Sequence, residues 1–361
     1  MRINRITLPL AAGELELPSE GPVAVLGARE PADYGPIATD RLHFAVPQRG
    51  LHDRLRAAGL HVAEAPEALA PHGPFAAALV HLPRARAEAE GLIGQAIGLV
   101  GPGAPVILEG AKAEGVEGIL RRLRQAGLTL GEVHSKAHGK AVVLWADEAA
   151  ASLAARWRAA AAPRQREGWW TAPGLFSADG PDPASELLAA ELAGRLSGRV
   201  VDLGAGWGFL AARVLAADAE GRIERLDLVE HDRRALALAE RNLTDSRAAF
   251  HWQDVRAIEP EGRGWDAAIT NPPFHAAGRR AAPELAEGFI EAAARVLRPG
   301  GELWLVANRH LPYERPMRAR FREVAIAREA AGFKILHGRG PLAAPGRRRS
   351  ARRAAQAEGR R

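Results

Sequence analysis

The stretch NPPF at 271–274 follows an apolar run, DAAIT (266–270), and places an amide side chain, two prolines and an aromatic ring in a row. An exocyclic amine on a nucleobase or a carboxamide is a poor nucleophile because its lone pair is delocalised into the π system. Two hydrogen-bond acceptors that hold its NH2 favour the pyramidal geometry attack requires. The side-chain carbonyl of Asn271 and the backbone carbonyl of Pro272 can supply them, and the Pro-Pro pair fixes the direction of the carbonyls. That is catalysis by position and electrostatics. Phe274 offers a face on which a flipped-out base can stack. No dedicated general base is required, because the amine becomes strongly acidic once methylated. Taken alone, the motif has a lesser alternative reading, a proline-rich turn over a buried phenylalanine.

Such a clamp needs an electrophile beside it. Upstream, a strand RVVDLG (199–204) runs into the loop GAGWG (204–208) and a helix FLAARVLAA (209–217). Gly204, Gly206 and Gly208 let the backbone turn sharply and come close to a ligand. A dinucleotide loop, G-x-G-x-x-G, would place its third glycine at 209, where this chain has Phe209. The shift to Gly208 favours S-adenosylmethionine over NAD, and no Gly-Lys-Ser/Thr follows for a nucleotide triphosphate. The next strand, ERLDLVEHD (224–232), carries Glu230, placed to accept both ribose hydroxyls. AAFHWQDVRAI (248–258) carries Asp254, which can accept from the adenine amino group or cap a helix. The cofactor set is therefore Asp202, Gly204, Gly206, Gly208, Glu230, Asp254, Val255 and Asn271. Trp207 and Phe209 either line that pocket or pack in the core, and Ser177 and Asp179 are further candidates.

These residues need a scaffold. The 361 residues are enough for two domains with their own cores. With 47% apolar and 25% charged residues, the composition is globular. No apolar run approaches the ~20 residues of a membrane span. The N-terminal MRINRITLPLAAGELELP reads as a first strand rather than a signal peptide. Zero cysteines exclude disulfides and thiolate metal sites and fit the cytoplasm, and twelve histidines with no HxH pair and a single HxxxH, His134 and His138, argue against a metal. The net charge of +6 is concentrated: Gly338 to Arg361 holds eight arginines against Glu358, a local +7, which leaves the rest near −1. The extreme C-terminus, 341–361, is expected to be a disordered Arg-rich tail suited to a polyanion such as RNA.

A faint internal repeat organises the chain. FAAALVHLPR (75–84) aligns with WDAAITNPPF (265–274). LIGQAIGLVGPGAPVILEG (92–110) aligns with FIEAAARVLRPGGELWLVAN (289–308), each as a helix, a Pro-Gly turn and a buried strand, and QAGLTL (125–130) answers AAGFKIL (330–336). The offsets of 190, 197 and 205 indicate duplicated domains. The first copy has VAVLGARE (23–30) in place of the glycine loop, and His81 and Leu82 in place of Asn271 and Pro272. It keeps the architecture without the site. A helix and polar hinge over 148–168 place the boundary near 165. The fold class is α/β, with two tandem Rossmann-like domains: a degenerate one over 1–165 and a catalytic one over 166–340.

VVDLGAGWG, Glu230, Asp254 and NPPFH together resemble the class I S-adenosylmethionine-dependent methyltransferases, and more narrowly the small-subunit ribosomal RNA guanine-N2 methyltransferases. The resemblance spans nearly the whole chain: PGLFSADGPDPASELLAAEL (173–192) is similar to the segment preceding the glycine loop, and LPRAR (82–86), EGAKAEGVEGI (109–119) and SKAHGKAVVLW (135–145) are similar to the non-catalytic N-terminal domain. It implies that Asn271 is catalytic, that Phe274 stacks on guanine, and that the first half engages ribosomal RNA or the small subunit; the protein is separately expected to act as a monomer. Asp182-Pro183-Ala184-Ser185, where the family has Gly before Ser or Thr, and the AAGRR loop (276–280) depart from the pattern. NPPF-type clamps also serve adenine N6 and glutamine side chains. A non-catalytic RNA-binding or assembly protein is the alternative of another class.

Overall fold

The computed structural model describes residues 5–273 and 283–342, and its contacts divide the chain into two compact units, Met1–Ala178 and Asp179–Arg361. In the first, the strands are β1 (Val23–Leu26), β2 (Leu42–Ala45), β3 (His61–Ala63), β4 (Ala77–His81), β5 (Pro105–Ala111), β6 (His134–Lys136) and β7 (Gly139–Trp145). A short hairpin, β8 (Arg164–Arg166) and β9 (Trp169–Thr171), follows. The second unit contains β10 (Gly198–Leu203), β11 (Ile223–Glu230), β12 (Ala248–Trp252), β13 (Trp265–Thr270), β14 (Leu297–Asn308), β15 (Phe321–Ala330) and β16 (Phe333–Pro341).

The two seven-stranded sheets have the same order, β3-β2-β1-β4-β5-β7-β6 and β12-β11-β10-β13-β14-β16-β15. Five strands of each are parallel, and an antiparallel hairpin closes one edge. Both faces of the central strands are buried, so those strands read as continuous apolar runs rather than alternating ones. Val200, Leu226, Leu228 and Ile269 belong to the core on one face of the second sheet; Val201, Leu203, Val229 and Ala268 belong to the core on the other.

The repeat is visible in the ladders. Ala78 pairs with Ala24 and Val106, and Ala268 pairs with Val201 and Leu303, so the first two sequence alignments mark equivalent places. The third does not. AAGFKIL forms the turn between β15 and β16, whereas QAGLTL follows the helix Val116–Gln125. The turn equivalent to Ala331-Gly332 is Ala137-His138, and all four residues have positive φ. QAG and AAG look alike because a glycine suits the end of a helix as well as a hairpin turn.

Other expectations also change. The N-terminal segment is not a strand: Arg5–Thr7 is a 3-10 turn and Leu8–Ala11 a helical one, because Pro9 lacks the N–H a ladder needs and fits the first turn of a helix. The polar hinge contains the β8–β9 hairpin, turning through Glu167 and Gly168 at positive φ. The Pro299-Gly300-Gly301 turn is absorbed into β14 as an irregular start with a register shift. Gly338 to Pro341, counted with the basic stretch, pairs with β15 as the end of β16. The arginines from 347 onward lie outside the described residues.

Candidate active site

The first parallel connection of the second unit turns through the glycine loop between β10 and the helix Phe209–Ala216. All three loop glycines have positive φ, at +76°, +58° and +87°, but they answer to different constraints. A Cβ on Gly204 would lie 2.8 Å from the Phe289 ring, and one on Gly208 would lie 3.1 Å from the Ala239 Cβ, so both are required by packing. A Cβ on Gly206 would meet nothing within 4 Å. Gly206 is the glycine that leaves its backbone open to a ligand.

Glu230 ends β11 and is 5% exposed. Its Oε2 accepts from the Gly206 N–H at 2.9 Å, its Oε1 accepts from the Asp232 N–H at 2.8 Å, and His231 Nδ1 stands 2.8 Å from Oε1. The glycine loop and the next turn thus hold the carboxylate in a fixed direction while it keeps acceptor capacity for hydroxyl donors. Asp202, on β10, is 1% exposed and its Oδ2 has no hydrogen-bond partner. Burial, with the Glu230 charge adding to it, pushes its carboxyl up to about 8 against a hydrogen bond from the Ala211 backbone. Asp254 caps the 3-10 turn Val255–Ala257 by accepting from the Arg256 N–H at 2.9 Å, and its carboxylate pairs with the Arg256 guanidinium at 2.6 Å. Burial raises its carboxyl, but the Arg256 contacts outweigh that and hold it below the usual range. The helix-cap reading of Asp254 describes the ligand-free contacts. Val255 is buried beneath it.

Asn271 leaves β13 directly after Thr270, whose hydroxyl donates to the Leu203 carbonyl at 2.7 Å and ties the end of β13 to the end of β10. The Asn271 Nδ2 donates to Asp182 Oδ2 and to Ser185 Oγ, each at 2.8 Å. A carboxylate only accepts, so the side of the amide facing Asp182 is the NH2. Its Oδ1 is buried without a partner. Pro272 is buried beside it, and Phe274 lies outside the described residues.

Asp182 and Ser185 are positioning residues that the sequence presented only as a departure from a family pattern. Asp182 is the N-cap of the helix Pro183–Leu192, accepting from the Ser185 N–H at 2.9 Å, and the same oxygen takes the Asn271 amide. The signal was present as Asp-Pro-x-Ser, an N-cap followed by proline in the first turn. Trp207 and Phe209 are both buried and meet edge to face with centroids 5.7 Å apart. The Trp207 carbonyl accepts from Asn242 at 2.8 Å, which fixes the loop from behind. Ser177, at φ +54°, and Asp179 flank the division between the units.

Comparison with known proteins shows the family. The Methyltransferase small domain family matches residues 168–337. The ribosomal RNA small subunit methyltransferase C of Hahella chejuensis is 30% identical over 245 residues, covering 64% of this chain and 67% of the relative. This chain belongs to that family. It is an S-adenosylmethionine-dependent methyltransferase. The Shewanella loihica member is 29% identical, covering 73% of this chain and 77% of that one. The solved structure of the T. thermophilus 16S rRNA N2 methyltransferase RsmC, in complex with AdoMet and guanosine, matches with a TM-score of 0.73 at 25% identity and 90% coverage of both chains. That match bears out two tandem Rossmann-like units. Among the described residues no helix is long and apolar enough to cross a membrane, and no group of three or more His, Cys, Asp or Glu could hold a metal.

Proposed function

We propose that this methyltransferase modifies the exocyclic N2 amine of guanine in 16S ribosomal RNA, in the cytoplasm and as a monomer, with Met1–Ala178 engaging RNA and Asp179–Arg361 holding the cofactor and the target base. The observation that carries the reading is the Asn271 side chain: its NH2 is committed to Asp182 and Ser185, and its buried carbonyl oxygen has no partner. A buried acceptor without a donor costs about 1–3 kcal/mol and is retained where a ligand supplies the donor.

The residues present fit S-adenosylmethionine. Gly206 leaves room at the loop, Glu230 is directed by two backbone amides, and Asp202 is a buried carboxyl with an unused oxygen. Glu230 would hold the ribose, Asp254 and Val255 the adenine end, and Gly204 to Gly208 the loop surface between. Bound there, the cofactor supplies a methyl group on a sulfonium centre, an electrophile whose leaving group departs neutral. Asn271 Oδ1 and the Pro272 carbonyl would each accept one N–H of the target amine, directing its lone pair out of conjugation. Phe274 would stack on the base. The proton released from the methylated nitrogen passes to water, as its acidity by then demands no side-chain base.

A tritiated-methyl transfer assay tests this reading. The purified chain is offered deproteinised rRNA, assembled small subunits, DNA and total protein from cells lacking the gene, and the labelled product is digested and separated. Label in N2-methylguanosine from RNA is the expected result. Label in methyladenine or methylglutamine would keep the clamp and overturn the base. Cofactor binding with no label in any acceptor would leave a non-catalytic RNA-binding protein.

A further inference from the structure

The first unit contains a cavity of about 310 Å³ that the methyl-transfer chemistry does not use. The segment after β4 and the one after β5 border it, together with the start of the helix Val116–Gln125. Four arginines line it, Arg84, Arg86, Arg121 and Arg122, against one lining acid, Glu114. That acid is already neutralised by Arg29. Arg122 Nε is 2.5 Å from Glu90, and Arg86 Nε is 3.9 Å from the same carboxylate. Arg84 and Arg121 are exposed, and no acidic partner holds either among the described residues. Two arginines without an ion-pair partner among the described residues therefore line one concave site, with buried Ala89 and Ile119 in the same lining.

We propose that this cavity binds a phosphodiester of the RNA backbone through Arg84 and Arg121. The planar guanidinium fork matches phosphate oxygens in a bidentate way. Gly115 and Gly118 line the same cavity, and a Cβ at either would meet nothing, so no side chain there keeps an anion from the first amides of the helix. The volume accommodates a group of nucleotide size. The position is the one α/β sheets use for ligands, at the carboxyl ends of parallel strands. The identity of the polyanion as RNA rests on the function proposed above; the two unpaired arginines do not.

The test uses the full chain and a fluorescein-labelled 16S rRNA fragment, with affinity followed by anisotropy across a salt titration. Replacing both residues, Arg84→Ala with Arg121→Ala, is expected to weaken binding roughly tenfold and to make the slope of log K against log salt shallower by about 0.7, one phosphate contact on single-stranded RNA. Arg84→Lys with Arg121→Lys should restore most of the slope. Melting temperature and cofactor affinity, unchanged from the parent, establish that the variant is folded; should the alanine pair fail that check, the Gln pair replaces it. An unchanged affinity and slope would overturn the proposal. So would a guanosine monophosphate or inorganic phosphate affinity that the variant loses while RNA binding stays intact, since that would make the cavity a small-anion site. Because binding is read without methyl transfer, an enzyme that methylates no RNA would remove the functional reading and still leave this result to be judged.

Discussion

The two units share one strand order and diverge where their parallel strands end. Ladder register places Val25 where the second unit has Asp202, and Val46 where it has Glu230. Ala65 stands at the N-cap of the 3-10 turn after β3 without a side-chain hydrogen bond, whereas Asp254 caps the turn after β12 with its carboxylate, and His81 stands at the place of Asn271. Three of these four positions are apolar in the first copy, and one is polar. That one is occupied: His81 Nε2 meets the Tyr34 hydroxyl at 3.0 Å, His81 Nδ1 meets Glu109 Oε1 at 2.7 Å, and Arg5 Nε donates to Glu109 Oε2 at 2.9 Å. Gly27, the counterpart of Gly204, presses against the His81 carbonyl so closely that a Cβ could not be accommodated. One unit has satisfied its strand ends internally, and the other keeps Asn271 Oδ1 and Asp202 Oδ2 without partners. A shared fold therefore carries chemistry only where polar groups are left for a ligand to complete.

The strongest way to break that contrast is Asn271→Ala. Loss of one positioned acceptor should lower kcat about 10²–10³-fold, comparable with removing a single preorganised hydrogen-bonding group elsewhere, while the melting temperature stays near the parent's. Single-turnover methyl transfer measures it, and a variant within tenfold of wild type would mean that the Pro272 carbonyl alone suffices. Next in size is Glu230→Gln. The amide keeps the shape but cannot accept with both atoms, so cofactor affinity should fall about 10–100-fold by calorimetry, two hydrogen bonds to a charged group being affected. An unchanged affinity would remove Glu230 from the ribose.

Much of this contrast could be read before any coordinates. The loop GAGWG, the strand ending on Glu230 and the exit at Asn271 are local signals, and parallel strands with buried faces follow from their continuous apolar runs. The register at offsets of 190 and 197 was also legible, since β4, β5 and their counterparts are buried strands with little freedom to change. Three things were hidden, each because it depends on a distant partner. Asp182 and Ser185 reach Asn271 across 89 and 86 residues of sequence. The division of labour among Gly204, Gly206 and Gly208 depends on Phe289 and Ala239. The Tyr34–His81–Glu109 plug joins residues that no spacing rule connects.

Asp202 sharpens the comparison through pH. In the unfolded chain an aspartate loses its proton near pH 4, about its reference value. In the folded, cofactor-free chain Asp202 keeps it up to about 8. The folded state therefore binds the extra proton between those values, and stability contributed at this position falls as pH rises through that window. Asp202→Asn, a neutral group of the same shape, removes the dependence. The variant should melt higher than wild type by several degrees at about pH 8 and by much less at about pH 5, for a difference of a few kcal/mol or less. Equal shifts at both pH values would show that Asp202 is charged throughout and that its burial is relieved by water.

The smallest effect belongs to the plugged unit. Tyr34→Phe keeps the ring and its edge contact with Phe44, whose centroid is 5.7 Å away, and removes only the hydroxyl that meets His81. His81 retains Glu109 on its other nitrogen, and Glu109 retains Arg5, so the network is shortened rather than broken. The cost should be about 1 kcal/mol, the net value of one part-buried hydrogen bond, seen as a melting shift with no change in methyl transfer. A loss of transfer larger than that stability change would mean that the first unit's strand ends act on the reaction after all, and that filling them with Tyr34 and His81 did more than close an unused site.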